Sequence, residues 1–391
     1  MPGPGIPDTS EGLTAGWLHA ALVAGGRPDC PPIRDLSCKS IGEGLGLMGD
    51  ILRCRVTFAG GARPPESVIV KLPSRKRTHR RLGRRWGMHR REYGFYRHLA
   101  PGVPLRTPEL LYGDFETRSH RFVLVLEDLG EMAAGDQVEG ASSEQVRRAV
   151  RAAAQLHGSY WNRVESLVAA GLDATLAPRL WLGLQVLYLA SLPRSLSRLA
   201  DAWSDEVRAL AEEYGFRLAD HLAHLSTEPR TFVHGDYRLD NMFFGDDGQD
   251  GFAVVDWQNG AISIGPYDVA CFLAGSVPTE VRRAVEEDVL REYHDIVCRL
   301  GARDFPFERC WRLYRESLLG CLVLPVVVAG QLVDPPERQL RLEDAIAKRT
   351  AAAIRDQDAG ALLPPLPRSL SPAGLRRRLC RAAYPAYRAF A

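Results

Sequence analysis

Residues 234–241 read His-Gly-Asp-Tyr-Arg-Leu-Asp-Asn, and fifteen residues after Asn241 the apolar run Val254-Val255 ends on Asp256. This coupling of a polar loop to a strand-end aspartate constrains the fold more than any other feature of the chain. Two separate elements must each hold an oxygen-bearing side chain at a fixed backbone position. The loop has the H-x-D-x-x-x-x-N spacing suited to phosphoryl transfer. That reaction needs a carboxylate to orient or deprotonate an incoming hydroxyl, and a hard cation held by oxygen ligands beside the β- and γ-phosphates. Asp236 suits the first task. Asn241, a neutral oxygen donor, and Asp256, an anionic one, suit the second and are candidate magnesium ligands. Asp and Asn are ordinary turn residues, so the loop alone would carry little; the following apolar strand with its aspartate makes the case.

The N-terminal part supplies complementary groups. The segment Ile41-Gly42-Glu43-Gly44-Leu45-Gly46-Leu47-Met48-Gly49 lies between two strand candidates. Gly42, Gly44 and Gly46 would let backbone N–H groups approach phosphates closely. No G-K-[ST] follows, so this is not a Walker loop. Lys71 ends the β-branched run Ser67-Val68-Ile69-Val70, placed to pair with α- and β-phosphate oxygens of a nucleotide, ATP or GTP. Glu92, in the helix-like stretch Arg90–Leu99, is the candidate to form the ion pair that positions Lys71.

Periodicity divides the chain. Ile51, Arg53, Arg55 and Thr57 alternate with Leu52, Cys54, Val56 and Phe58, the period-2 pattern of a half-buried strand. Phe122–Leu126 reads as a second strand. Beyond Gly130 the pattern turns helical. Ser142 and Gln145 resemble a capping box, followed by Val146, Val150, Ala153, His157 and Tyr160 at helical spacing. Leu180–Phe216, Glu280–Leu300 and Phe307–Leu322 are helical in pattern, and Thr231–Pro266 is a β-like interlude. The expectation is an α+β chain with a small β-rich N-terminal lobe (1–126) and a larger, mainly helical C-terminal lobe (127–363). A Pro- and Arg-rich tail (364–391) follows, loosely attached.

Bulk properties exclude other classes. At 46% hydrophobic and 25% charged, with net charge +2, the chain has ordinary globular composition and no overall charge excess for nucleic acid or membrane. The eight cysteines form no C-x-x-C pair, which predicts reduced thiols rather than a disulfide framework or zinc site, and a cytoplasmic protein. Met1–Ser10 is not a signal peptide. Leu318–Ala329 is too short to cross a bilayer, so no transmembrane segment is expected. Arg75–Arg91 is densely cationic; it reads as a solvated face, with an anionic acceptor or an acidic partner as the alternatives, and with no nucleic-acid motif nearby a nucleic-acid partner is not expected. The tail mixes Arg376, Arg377, Arg378, Arg381 and Arg388 with Leu375, Leu379, Tyr384, Tyr387 and Phe390. It reads as a docked or frayed end, with weak membrane-surface association as the alternative.

Taken in order, the glycine loop, Lys71, Glu92, Leu124-Val125-Leu126-Glu127-Asp128-Leu129, Gln155-Leu156-His157, residues 234–241 and Asp256 resemble the aminoglycoside phosphotransferase and choline kinase superfamily. The Glu-Asp-Leu segment and Leu156-His157-Gly158-Ser159-Tyr160-Trp161 look most like its ecdysteroid-kinase-like branch and bacterial relatives. The resemblance covers roughly Leu36 to Leu273 and implies a bilobal protein-kinase-like fold. It implies an ATP- or GTP-dependent, magnesium-dependent kinase acting on a hydroxyl of a small acceptor; the alternative is a catalytically silent ligand-binding or scaffold protein. Glu127 to Leu129 would be the hinge whose backbone groups bind adenine. Asp268 would support the metal-site loop, and His234 would hold the catalytic loop. Asp256-Trp257-Gln258 stands where protein kinases have Asp-Phe-Gly, and no Ala-Pro-Glu follows, which argues against protein substrates. Trp161, Trp181, Tyr188 and Trp203 fall in the region that would build an acceptor pocket, so together they suggest a fairly hydrophobic acceptor.

Overall fold

A computed structural model describes residues 3–41, 49–61, 66–169, 172, 178–227, 229–246, 251–365, 368 and 371–389. The chain forms two compact units, one of Met1–Ala133, Ala169–Gly171 and Phe243–Gly260, the other of Ala134–Val168, Leu172–Met242 and Ala261–Ala391.

The first unit is built on a five-stranded antiparallel sheet. Its strands are β1 (Ile33–Ser40), β2 (Gly49–Phe58), β3 (Ser67–Pro73), β4 (Leu110–Glu116) and β5 (Arg121–Glu127), in the order β1-β2-β3-β5-β4. The alternation along β2 emerges as predicted: Leu52, Cys54 and Val56 are buried and Arg55 and Thr57 exposed. Phe122–Leu126 is buried throughout, so its unbroken apolar run reflects cover on both faces. Helix α1 (Ala15–Ala24) packs on β1 and β4, and its Leu18, Ala21 and Leu22 join Val68, Val70 and Val125 in one core. Periodicity did not reveal β4, whose Gly113 and charged Asp114 and Glu116 interrupt any alternation. Helices α2 (Arg77–Trp86) and α3 (Met88–Gly94) follow β3.

One expectation is corrected here. Cys38 and Cys54 are directly opposite in the β1–β2 register and form a disulfide. Sixteen residues separate them in sequence, and only strand pairing brings them together. The other six cysteines are free thiols.

The second unit is mainly helical: α4 (Ser143–Ser159), most of α5 (Glu165–Ala169), α6 (Pro178–Arg198), α7 (Asp205–Gly215), α8 (Leu218–Leu225), α9 (Pro266–Ser276), α10 (Thr279–Arg299), α11 (Phe307–Gly320), α12 (Val323–Gln331), α13 (Glu337–Asp356) and α14 (Pro372–Ala389). The Ser142–Gln145 capping box closes reciprocally. The helical pattern expected over 180–216 is broken between α6 and α7, where Ser204 caps a new helix start through the Val207 N–H. The interlude near 231–266 supplies short strands: β6 (Thr231–Val233) and β7 (Ala261–Ser263) pair in the second unit, and the short strands ending at Phe244 and starting at Phe252 lie beside each other. Phe307–Gln331 is long and apolar enough by composition to cross a bilayer, but 61% of its most apolar window is buried inside the protein.

The tail is not loose. Helix α14 is pinned to α7 and α8 by ion pairs of Arg376 with Asp220 and of Arg377 and Arg381 with Glu213, while Tyr384 packs edge-on against Phe216. Its arginines meet acidic partners that sequence spacing could not identify.

His221 of α8 is buried, with Nδ1 3.1 Å from the Tyr214 hydroxyl. Burial and the neighbouring His224 lower its pKa from 6.5 to about 4, against the opposing pull of Glu316. The unfolded chain therefore takes up this proton first as pH falls. The associated stability is complete above about pH 6.5 and disappears as pH falls through about 4. We expect up to about 3 kcal/mol of acid destabilisation from this one residue. Urea unfolding at stepped pH should show a shallower acid slope in His221→Leu than in wild type; identical slopes would refute the assignment.

Candidate active site

In the first unit three charged side chains meet. Lys71 Nζ, from the buried strand β3, donates to Glu92 Oε1 at 2.5 Å and to Asp256 Oδ1 at 3.1 Å. Burial works against the lysine charge, but Asp256 and Glu92 outweigh it, so the pKa of the amine is raised and it stays an ammonium. Burial pushes the Glu92 carboxyl up, against the pull of Lys71. Two carboxylates around one ammonium leave an excess of negative charge that a cation would offset.

Local packing explains why residues so distant in sequence converge. Asp256 follows the strand Phe252–Val254 with φ +67°, a left-handed conformation that Asp tolerates. This turns the chain into Trp257, which is fully buried and stacks on Phe95 with ring centroids 3.9 Å apart. Phe95 follows directly on α3. Arg91 Nε donates to the Gln258 carbonyl at 3.1 Å, a second tie between the Glu92 helix and the Asp256 turn. Gln258 Nε2 donates to Asp256 Oδ2 at 3.1 Å and so orients the carboxylate.

The segment Glu127–Leu129 has a division of labour. The Glu127 carboxylate accepts from Arg106 Nη2 at 2.6 Å and from the Glu109 N–H at 3.2 Å, and its own N–H donates to the Glu109 carbonyl. Its side chain is thus a strut of the sheet. Asp128 is held by Arg53 and Ser67. Leu129 is buried, and its N–H makes no hydrogen bond among the described residues, which leaves a backbone donor for a base edge. Gly42, Gly44 and Gly46 lie outside the described residues.

In the second unit the loop after β6 is braced from beneath. Asp268, at the first turn of α9 and fully buried, accepts from the His234 N–H at 2.6 Å and the Gly235 N–H at 3.0 Å. His157 of α4 contacts Asp268 Oδ2 at 3.3 Å through Nε2 and the Tyr293 hydroxyl at 3.0 Å through Nδ1. Gly265 makes this closeness possible, because a Cβ there would sit 2.2 Å from the Tyr293 hydroxyl. Gly235 has φ +76°, a conformation glycine adopts freely, and presents Asp236 beyond the brace.

Asp236 is surrounded by donors. Asn241 Nδ2 bonds to the Asp236 carbonyl at 2.9 Å and approaches Oδ2 at 3.4 Å. Its amide nitrogen thus committed, Asn241 keeps Oδ1 out of any hydrogen bond among the described residues. That oxygen is of the type a hard divalent cation takes, as, separately, is the Asp256 carboxylate of the first unit. Among the described residues no group of three or more His, Cys, Asp or Glu forms a ready cage; magnesium held by one or two side chains plus phosphate oxygens needs none.

Sequence reading did not assign roles to Arg238, Asp240, Gln137 or Tyr293. Arg238 Nε lies 3.2 Å from Asp236 Oδ1, while Nη1 reaches Asp240 Oδ2 and Gln137 Oε1, each at 3.3 Å. The planar guanidinium therefore fixes the Asp236 carboxylate against a second carboxylate. Arg238 and Asp240 were visible inside the motif, but Gln137 and Tyr293 carry no local signal. Trp161, Tyr188 and Trp203 belong to the core: all three are buried, Trp203 Nε1 donates to the Ala347 carbonyl and the Tyr188 hydroxyl to that of Ala211. Trp181 is partly exposed.

Comparison with solved structures gives likenesses over most of the chain. Plasmodium vivax ethanolamine kinase superposes with a TM-score of 0.53 at 12% identity, covering 90% of this chain and 91% of that one. Choline kinase from Cryptosporidium parvum Iowa II gives 0.51 at 12% identity, covering 83% and 91%. A candidate aminoglycoside phosphotransferase of Ralstonia eutropha JMP134 gives 0.50 at 14% identity, covering 88% and 98%. At such identities the likeness is one of fold. No curated protein matches by sequence. The model of the phosphotransferase enzyme family matches residues 55–308, a span that holds Lys71, Glu92, the 234–241 loop, Asp256 and Asp268. The chain therefore belongs to the phosphotransferase enzyme family.

Proposed function

We propose that this protein is a small-molecule kinase that moves the γ-phosphate of ATP or GTP to a hydroxyl of a small acceptor. The observation that carries the reading is the Lys71 ammonium held between the Glu92 and Asp256 carboxylates. A buried lysine fixed in this way is prepared to bind phosphate oxygens without reorganising. The Leu129 N–H offers the base an edge-on donor. Asp236, oriented by Arg238, positions the acceptor hydroxyl and takes its proton late in the transfer. Asn241 and Asp256 would hold magnesium, which when bound neutralises charge on the β- and γ-phosphate oxygens.

The test has two arms. With magnesium and either nucleotide, a library of hydroxylated metabolites and natural products should yield at least one phosphorylated product by mass spectrometry. Nucleotide affinity measured by calorimetry should fall when magnesium is chelated, and Asp256→Asn should weaken the magnesium-dependent part while leaving the chain folded. Nucleotide binding indifferent to both magnesium and Asp256, with no acceptor modified, would instead indicate a silent ligand-binding protein.

A further inference from the structure

The cationic segment between Lys71 and Glu92 takes no part in the chemistry above. From Ser67 to Arg91 there is no acidic residue. Arg75, Lys76, Arg77, Arg80, Arg81, Arg84, Arg85 and Arg90 are all exposed. These eight charges stand against a chain total of +2, so the remainder carries −6. Arg75 pairs with Asp50 at 3.3 Å and Arg80 caps the Ser74 and Arg75 carbonyls. For Lys76, Arg77, Arg81, Arg84, Arg85 and Arg90 no carboxylate lies within ion-pair distance among the described residues.

Helix geometry arranges them. Arg77, Arg80, Arg81, Arg84 and Arg85 fall at i, i+3, i+4, i+7 and i+8 of α2, which puts them in one stripe about 12 Å long. The opposite side faces inward through buried Gly83, where a Cβ would meet His89 Nε2 at 2.6 Å. Every neighbouring pair in the stripe, such as Arg77 with Arg81 and Arg80 with Arg84, repels and weakens the helix. The helix has no side-chain cap at Lys76. Packing does not require these like charges; an external anion would relieve them.

We propose that α2 and its flanks dock this protein on an anionic lipid surface. At about 100° per residue the five arginines of α2 span an arc of about 140° around the helix, so their long side chains spread over a face and match anions arrayed in two dimensions. A polynucleotide offers its phosphates in lines. Half-buried Leu82 lies beside one edge of the stripe, the kind of apolar side chain that enters the headgroup boundary. The net-acidic remainder confines attraction to this face, because charges beyond about 10 Å from the membrane are screened.

Co-flotation of the full chain with vesicles carrying about one-third anionic phosphatidylglycerol tests this. Binding should be strong at low salt, lost at high salt and absent with phosphatidylcholine alone. Each arginine removed should lower partitioning roughly fivefold, so Arg77→Gln, Arg81→Gln, Arg84→Gln and Arg85→Gln combined should lower it more than about a hundredfold. Thermal melting should show the combined variant folded; if it is not, the single variants Arg81→Gln and Arg84→Gln decide by their fivefold steps. Binding equal for neutral and anionic vesicles, binding unchanged in the variants, or tighter binding to duplex DNA or single-stranded RNA at the same salt would each overturn the proposal.

Discussion

Replacing Asp236 by Ala will lower turnover about 10²–10⁴-fold while nucleotide affinity stays within a few-fold of wild type. The loss follows from position. Asp236 stands beyond the Gly235 turn, and its carboxylate is fixed by Arg238 and approached by Asn241. The Lys71 contacts with Glu92 and Asp256 are made within the first unit, without Asp236, so phosphate binding should survive. Asp236→Asn keeps an oxygen for the Arg238 contact but cannot accept the acceptor's proton, and should be nearly as slow as the alanine variant. Steady-state kinetics on an acceptor found by the library screen, with calorimetric titration of nucleotide, separate the two effects. Turnover within about tenfold of wild type in both variants would remove Asp236 from the mechanism.

The largest expected loss of stability comes from Asp268→Ala. Its fully buried carboxylate satisfies two backbone N–H groups and contacts His157. Truncation strands both N–H donors in a site whose packing leaves little room for adjustment. At about 1–3 kcal/mol for each buried unsatisfied group, the cost is about 2–6 kcal/mol, enough to lower the melting temperature by roughly 5–15 °C. Asp268→Asn keeps one acceptor oxygen and should recover part of that loss. Differential scanning calorimetry reads both. A melting temperature unchanged in Asp268→Ala would mean that the loop is held by other contacts. Because Asp268 braces the backbone that presents Asp236, activity should fall in both variants even at temperatures where they remain folded.

The elements legible in the sequence were those whose signal is local. Alternation along Leu52–Phe58 marked β2, the continuous Phe122–Leu126 run marked a doubly covered strand, and Ser142 with Gln145 marked a helix start. Strand β4 was hidden because Gly113 and its acidic neighbours break the period. The 234–241 loop and Asp256 were legible as a candidate site because their residue types and spacing are unusual together.

What the sequence determined by itself is the inventory: which side chains carry charge, in what order, and on what kind of element. Tertiary structure alone decided who meets whom. Strand register joined Cys38 to Cys54, stacking of Trp257 on Phe95 brought the Glu92 helix to the Asp256 turn, and Glu213 found the tail arginines. Each pairing links residues whose distance along the chain says nothing of their distance in space. Burial then set their electrostatics, because an ammonium between two carboxylates away from water behaves unlike any of the three alone.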